Sequence, residues 1–209
     1  MSGDTESLLG PVRRLYVESL QEHGATSRAV GWRDENSQRL RFDKLTGVVD
    51  ATSSSITVND LGCGYGAMFD FLAARFDRGL TGYLGIDISD EMIATARARV
   101  TDRRATFVQG NLLMHEADYT FISGTFNVKM NASTEQWTRY IETALEQVAA
   151  RSSKGFAFNL LSTYVDWRVD HLYYGDPCYF FDFCRRRLSR YVTLLHDYPL
   201  YEWTMLVHK

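Results

Sequence analysis

Asp60, Gly62, Gly64 and Gly66 lie in the stretch NDLGCGYG, residues 59–66, directly after the β-branched run Ile56, Thr57, Val58. Glycines at alternating positions between a strand and a helix let the main chain approach a ligand closely, because a Cβ there would occupy the ligand's space. Two ligand chemistries use such loops. Gly62, Gly64 and Ala67 satisfy the dinucleotide spacing G-x-G-x-x-G/A, while Gly62, Gly64 and Gly66 satisfy the tighter G-x-G-x-G. Asp60, two positions before the first glycine, bears on the choice. A pyrophosphate needs loop amides away from competing negative charge, whereas an aminoacid ammonium group gains from a carboxylate at the loop entrance.

Other residues carry chemistry of their own. Asp87 ends the apolar run GYLGIDI, residues 82–88, and is followed by Ser89, a better helix cap, so its carboxylate is not needed to start the next helix. His171 stands in the stretch 162–183, which also holds Tyr164, Trp167, Tyr173, Tyr174, Tyr179, Phe180, Phe181 and Phe183, a candidate wall for a substrate. Histidine there is a candidate general base, needed only if the substrate must lose a proton to become nucleophilic. Cys63 has no neighbour that would activate a thiolate and reads as a small buried filler. No compact Asp/Asn/His cluster suggests a metal. Arg185, Arg186, Arg187 and Arg190 form a short basic run of the kind helix C-termini attract.

The elements that must position these residues alternate along the chain. Apolar residues at Phe42, Leu45 and Val49 give helical spacing from Gln38 to Val49, and the strand 56–61 follows. Phe69, Leu72 and Phe76 predict a helix that Gly79 stops. The strand 82–88 leads into a helix capped by Ser89, burying Ile93, Ala96 and Val100. Strands at 105–110, 118–124 and 155–161 enclose a helix from Ser133 to Ala150 that buries Trp137, Ile141, Ala144 and Val148. Strands covered on both faces and separated by helices imply a three-layer α/β/α fold, a doubly wound and mainly parallel sheet. The last two runs, 191–196 and 201–208, are too close for a parallel crossover and predict an antiparallel hairpin.

Composition bounds the rest. With 209 residues, 45% of them hydrophobic, the chain suits one domain with a substantial core. It reads as a helical cover segment at 1–50, a binding core at 56–161, an insertion at 162–190 that would contact the substrate, and the hairpin at 191–209. A formal net charge of -3 gives no positive field for nucleic acid or an anionic membrane. No apolar run of about 18 residues and no basic-apolar leader is present, which points to the cytoplasm. Cys63, Cys178 and Cys184 make an odd set without C-x-x-C, against a disulfide framework or a zinc knot.

The stretch VNDLGCGYG resembles motif I of the class I S-adenosylmethionine-dependent methyltransferases. The similarity continues through GIDIS at 85–89, QGN at 109–111 and FISGTFNV at 121–128, covering residues 56–161, and is closest to the small bacterial single-domain type. It implies a seven-stranded sheet with a reversed final strand, and S-adenosylmethionine as cofactor. It further implies that Asp60 faces the methionine ammonium, that Gly62, Gly64 and Gly66 admit the aminoacid and ribose portions, and that Asp87 accepts from both ribose hydroxyls. Ile88 would pack on the adenine and Asn111, where many relatives carry an acid, would meet its amino group. Ser123, Gly124 and Thr125 would end the fourth strand beside the reactive methyl. Gln38 and Arg41, in a segment that often folds over the cofactor in relatives, are candidates for the methionine carboxylate. The Asn/Asp-Pro-Pro-aromatic motif of enzymes that methylate nucleic-acid amino groups is absent. The implied activity is methyl transfer to an oxygen or nitrogen of a small metabolite or saccharide. An NAD(P)-dependent oxidoreductase and a non-catalytic S-adenosylmethionine-binding protein remain as alternatives.

Overall fold

Residues 3–209 are described by the computed structural model, with side chains from Glu6 onward. Five parallel strands form the centre of the sheet: β1 (Ile56–Leu61), β2 (Leu80–Asp87), β3 (Ala105–Gln109), β4 (Ala117–Ile122) and β5 (Ser152–Ser162). Two residues, Tyr174–Gly175 (β6), run parallel to the end of β5, and the chain closes with β7 (Tyr191–Leu195) and β8 (Glu202–His208). The order across the sheet is β3-β2-β1-β4-β5-β8-β7, with β8 antiparallel to both β5 and β7. The terminal hairpin expected from the sequence is present.

Winding reverses between β1 and β4, which pair directly although β2 and β3 intervene in sequence. A crevice therefore opens beyond the carboxyl ends of β1 and β4, where neither crossover covers the sheet. The glycine loop leaves β1 at that point.

The helices are α1 (Gly3–His23), α2 (Glu35–Leu45), α3 (Ala67–Phe76), α4 (Asp90–Arg99), α5 (Thr134–Arg151) and α6 (Pro177–Phe183). Starts follow side-chain caps. Ser89 accepts from the Met92 amide and Ser133 from the Gln136 amide, each at 3.1 Å, satisfying donors with no intrahelical partner. Asp34 caps α2 through the Ser37 amide at 2.7 Å, so that helix begins before Gln38, and it ends at Leu45 in a tighter turn rather than reaching Val49. Helix α1, whose Leu9, Val12 and Tyr16 share one face, folds across the crevice.

Alternation along the strands sorts the core into two layers. Phe156, Phe158 and Leu160 pack against α1, α5 and α6, while Ile56, Val58 and Ala157 pack against α2, α3 and α4. The segment 162–190 contributes more to the first layer than to a substrate wall. Tyr173 and Phe180 are buried, and the Phe180 ring lies 5.7 Å from that of Trp203. Tyr179, Phe181 and Phe183 flank an outer groove bordered by Leu194, away from the crevice. The reason is Asp176, which caps α6 by accepting from the Cys178 and Tyr179 amides and lays the helix across the core. Arg185, Arg186 and Arg187 occupy the wide turn that ends it, where Arg186 pairs with Asp182 and Arg187 with Glu146. Among the described residues no helix is long and apolar enough to cross a membrane.

Close packing between β2 and β3 leaves no room for a side chain at Gly85, where a Cβ would sit 2.6 Å from the Phe107 ring and 2.9 Å from the Cys63 sulfur. Gly85→Ala is therefore expected to cost about 1–3 kcal/mol in urea unfolding, as overpacking does in a dense core. An unchanged midpoint would contradict this packing.

Candidate active site

Beyond β1 and β4 lies a cleft of about 710 Å³, mouth included. Seven residues singled out in the sequence line it: Gly62, Gly64, Asp87, Ile88, Asn111, Ser123 and Gly124. Asp60 and Gln38 face a smaller adjoining cavity, which shares Gly62, Ser123 and Trp32 with the cleft. Gly66 borders neither. It starts α3 in the left-handed conformation, φ 82°, and a Cβ there would meet the Phe107 ring at 3.0 Å, so protein packing rather than a ligand excludes its side chain.

The loop's own amides are nearly all committed. Gly62 and Cys63 both donate to the Ile86 carbonyl, at 2.7 and 3.0 Å, and Gly66 donates to the Cys63 carbonyl at 2.9 Å. Gly64 donates to Asp87 Oδ2 at 2.9 Å, and the other carboxylate oxygen of Asp87 accepts from the Ser89 amide at 2.9 Å. Burial pushes the Asp87 carboxyl up while these amides pull it back, leaving it raised overall. A loop so bonded offers an anion little. No Lys or Arg is among the described residues lining the cleft or its adjoining cavity, so a pyrophosphate would meet two carboxylates and no cation.

Among the described residues, two buried polar atoms lining the small cavity have no hydrogen-bond partner, Asp60 Oδ1 and Ser123 Oγ. Such orphans are rare in a folded interior and mark a place for a polar partner. The second oxygen of Asp60 accepts from the Tyr83 hydroxyl, and Gln38 Oε1 accepts from Tyr65 at 3.0 Å. Burial drives the Asp60 carboxyl up to about 7, against the opposing Tyr83 hydrogen bond and with a further rise from Asp87. Cys63, between the glycines, is buried, and burial followed by the charges of Asp87 and Asp60 pushes its thiol well above the ordinary range. It is a filler, not a nucleophile.

Arg41 and His171 stand elsewhere. Both border a second cleft, which shares Tyr16, Val30, Trp32 and Gly124 with the first. The guanidinium of Arg41 is paired with Glu202 and stacked on Trp32, and does not line the first cleft. His171 is exposed, and its main-chain carbonyl accepts from the Lys129 and Met130 amides at 2.9 and 3.0 Å. Of the expected aromatic wall only the neighbourhood of His171 and Leu172 reaches this cleft. Its other walls come from α1, Trp32 and the hairpin turn at Pro199, Leu200 and Tyr201.

Comparison with known proteins gives the family and the fold. The family model described as "Methyltransferase domain" matches residues 58–155. "Putative methyltransferase Rv1506c" of Mycobacterium tuberculosis is 47% identical over 156 residues, covering 73% of this chain and 93% of that protein. The chain belongs to the class I S-adenosylmethionine-dependent methyltransferases. Its fold is shared by magnesium protoporphyrin IX methyltransferase from Synechocystis PCC 6803 with bound S-adenosylhomocysteine, at TM-score 0.66 and 13% identity, covering 96% of this chain and 99% of that one. The S-adenosylhomocysteine complex of DhpI aligns at TM-score 0.64 and 15% identity, covering 95% of this chain and 96% of the other.

Sequence reasoning missed Tyr16 in this methyltransferase and gave Trp32 no role of its own, whereas Thr125, expected beside Ser123 and Gly124, does line the first cleft. Tyr16 carried a local signal, the spacing Leu9, Val12, Tyr16 of an amphipathic helix. Thr125 donates to the Leu61 carbonyl at 2.7 Å and fills the space over Gly62, where a Cβ would lie 2.2 Å from its hydroxyl.

The raised Asp60 carboxyl has a defined effect on stability. Between its unfolded value of 3.8 and its folded value of about 7, the unfolded chain releases a proton that the native state keeps, so stability falls as pH rises through that window. Asp60→Asn can still accept from Tyr83 but carries no buried charge. It should melt above the wild type at pH 8 by a larger margin than at pH 5, while binding S-adenosylhomocysteine more weakly. Equal margins at the two pH values would refute the raised carboxyl.

Proposed function

We propose that the first cleft and its adjoining cavity hold S-adenosylmethionine, and that the second cleft takes the methyl acceptor, an oxygen or nitrogen of a small metabolite or saccharide. The observation that carries the donor assignment is the pair of unpartnered atoms, Asp60 Oδ1 and Ser123 Oγ, in a cavity with carboxylate charge and no cation. An aminoacid ammonium supplies donors to both, and favours the ionised form of Asp60. The cofactor supplies a methyl group made electrophilic by a sulfonium.

The chain's residues bind and orient. Asp87 keeps acceptor capacity after receiving the Gly64 and Ser89 amides, and is assigned to the ribose hydroxyls. Ile88 and Asn111 are assigned to the adenine, with Leu9 and Val12 of α1 closing the apolar side and excluding water. Gln38 is assigned to the aminoacid end. Gly124 borders both clefts, which supports transfer across it. Displacement at a methyl group gains most from holding donor and acceptor in line, so these positioning roles can supply much of the rate. The acceptor cleft combines aromatic surfaces of Trp32, Tyr16 and Tyr201 with Asn127 and His171, a mix suited to a small polar ring or chain. His171 is the general base if the acceptor atom must be deprotonated. The committed loop amides weigh against a nicotinamide dinucleotide, and the second cleft weighs against a purely binding role.

Calorimetry with S-adenosylhomocysteine tests the donor site: the wild type binds and Asp87→Ala binds roughly 100-fold more weakly, the loss of two charge-assisted hydrogen bonds of about 1.5 kcal/mol each. Unaltered affinity in a folded Asp87→Ala protein would remove the ribose assignment. A screen of small-molecule extracts with methyl-labelled S-adenosylmethionine tests the acceptor class. Once an acceptor that must lose a proton is found, His171→Ala should lower turnover about 100-fold or more, the contribution typical of a general base, with S-adenosylhomocysteine affinity within about twofold.

A further inference from the structure

Trp32 borders the donor cleft, the small cavity and the acceptor cleft, so its indole forms a partition among all three. It sits on a loop between α1 and α2, half-buried, and among the described residues its ring makes no hydrogen bond that would fix it. Two contacts hold it. On one side a Cβ at Gly124 would lie 2.2 Å from Trp32 Cη2, so the ring rests directly on the main chain of the segment after β4. The Arg41 guanidinium stacks on the ring with its central carbon 3.8 Å from the centroid.

Arg41 is itself fixed. Its Nε lies 2.9 and 2.8 Å from the two oxygens of Glu202, Nη2 donates to Oε1 at 2.5 Å, and Nη1 donates to the Ser37 carbonyl at 2.8 Å. Glu202 Oε2 also accepts from Asn159 Nδ2 at 2.5 Å, and Asn159 Oδ1 accepts from the Gly124 amide at 2.8 Å. The orientation of the Asn159 amide is thereby determined, since the carboxylate requires a donor and the Gly124 N–H an acceptor. The circuit returns to its start: Trp32, Arg41, Glu202, Asn159, Gly124, Trp32. It joins α2, β8, β5 and the segment after β4, with 161 residues separating Arg41 from Glu202.

Stability alone is a poor reason for this arrangement. Arg41 is 7% exposed and Glu202 1%, and removing two charges from water offsets much of what their attraction returns, so well-packed apolar residues would serve about as well. What apolar residues could not supply is direction. A bidentate pair with a planar stack fixes where the Trp32 ring lies, and the Asn159 amide fixes Gly124 on its other side.

We infer that Glu202 is a positioning residue for methyl transfer, acting through Arg41 to fix Trp32 as the partition between donor and acceptor and through Asn159 to register Gly124 against it. This rests on the assignment of the two clefts made above. Methyl transfer demands tight control of the donor-acceptor approach, and the partition is the element that sets it.

The test uses full-length protein labelled with 5-fluorotryptophan, whose four tryptophans give fluorine resonances, the Trp32 line being the one missing in Trp32→Phe. The wild type should show one narrow Trp32 line that shifts on adding S-adenosylhomocysteine. In Glu202→Gln the line should broaden or double even without ligand, and affinity for S-adenosylhomocysteine should fall about tenfold. Trp32→Ala should show a similar loss, and the double variant no more than either single one, as required if Glu202 acts through Trp32. Arg41→Lys keeps the charge pair but loses the fork and the stack; it carries the same expectations and serves if Glu202→Gln does not fold. A Trp32 line of wild-type position and width in the folded variants, or losses that multiply in the double variant, would overturn the inference. Failure of the wild type to bind S-adenosylhomocysteine would instead overturn the donor assignment, and the ligand-free Trp32 line would still report on the circuit.

Discussion

The carbonyl of Ile86 receives two amides of the glycine loop, and the carboxylate of Asp87 receives a third. The shape of the first cleft depends on this clasp between the end of β1 and the end of β2. Buried amides must be paired, and here they pair with the neighbouring strand instead of with a ligand. The loop therefore closes on the sheet, turns into α3 through left-handed glycines, and faces the cleft with carboxylate and apolar groups. A glycine loop with the same spacing but free amides would attract phosphate. This one favours a cation.

That electrostatic bias is built against the ordinary preference of a protein interior. Asp60 is 1% exposed, has one oxygen on Tyr83 and leaves the other unpartnered, which is costly in the absence of a ligand. Binding sites commonly hold such unsatisfied groups in readiness, with stability lost in the free protein and recovered on binding. The same trade recurs at Arg41 and Glu202, where buried charge is retained at the meeting point of four elements. In both cases the fold sacrifices some stability for a defined direction.

Around these polar centres, the N-terminal part of the chain converts an open crevice into two bounded clefts. Helix α1 contributes Leu9, Val12 and Tyr16, and the loop before α2 contributes Trp32. Tyr16 borders both clefts, and burial followed by the charge of Asp87 pushes its hydroxyl pKa well up, so it stays protonated there as a donor. The hairpin turn between β7 and β8 completes the second cleft. Neither segment belongs to the strand-helix repeat of the core, so the second cleft is built from parts added to a common fold.

Local pattern determined much of this protein: the order of strands and helices, the caps at Ser89 and Ser133, the terminal hairpin, and the cluster of Gly62, Gly64, Asp87, Ile88, Asn111, Ser123 and Gly124 at one cleft. The elements, caps and hairpin follow from short-range periodicity; Ile88, Asn111, Ser123 and Gly124 are singled out by the motif resemblance, and a chain topology that carries successive strand ends to one edge brings them together. Other features were decided only in three dimensions. Gly66 excludes a side chain because Phe107 lies against it, Arg41 turns from the first cleft to Glu202, and the aromatic run after β5 goes largely to the core and the outer face. Each depends on a partner far away in sequence, Glu202 lying 161 residues from Arg41, and no local rule specifies which of several charges or rings will meet. Spacing reveals which residues share an element's face; only packing decides what that face meets.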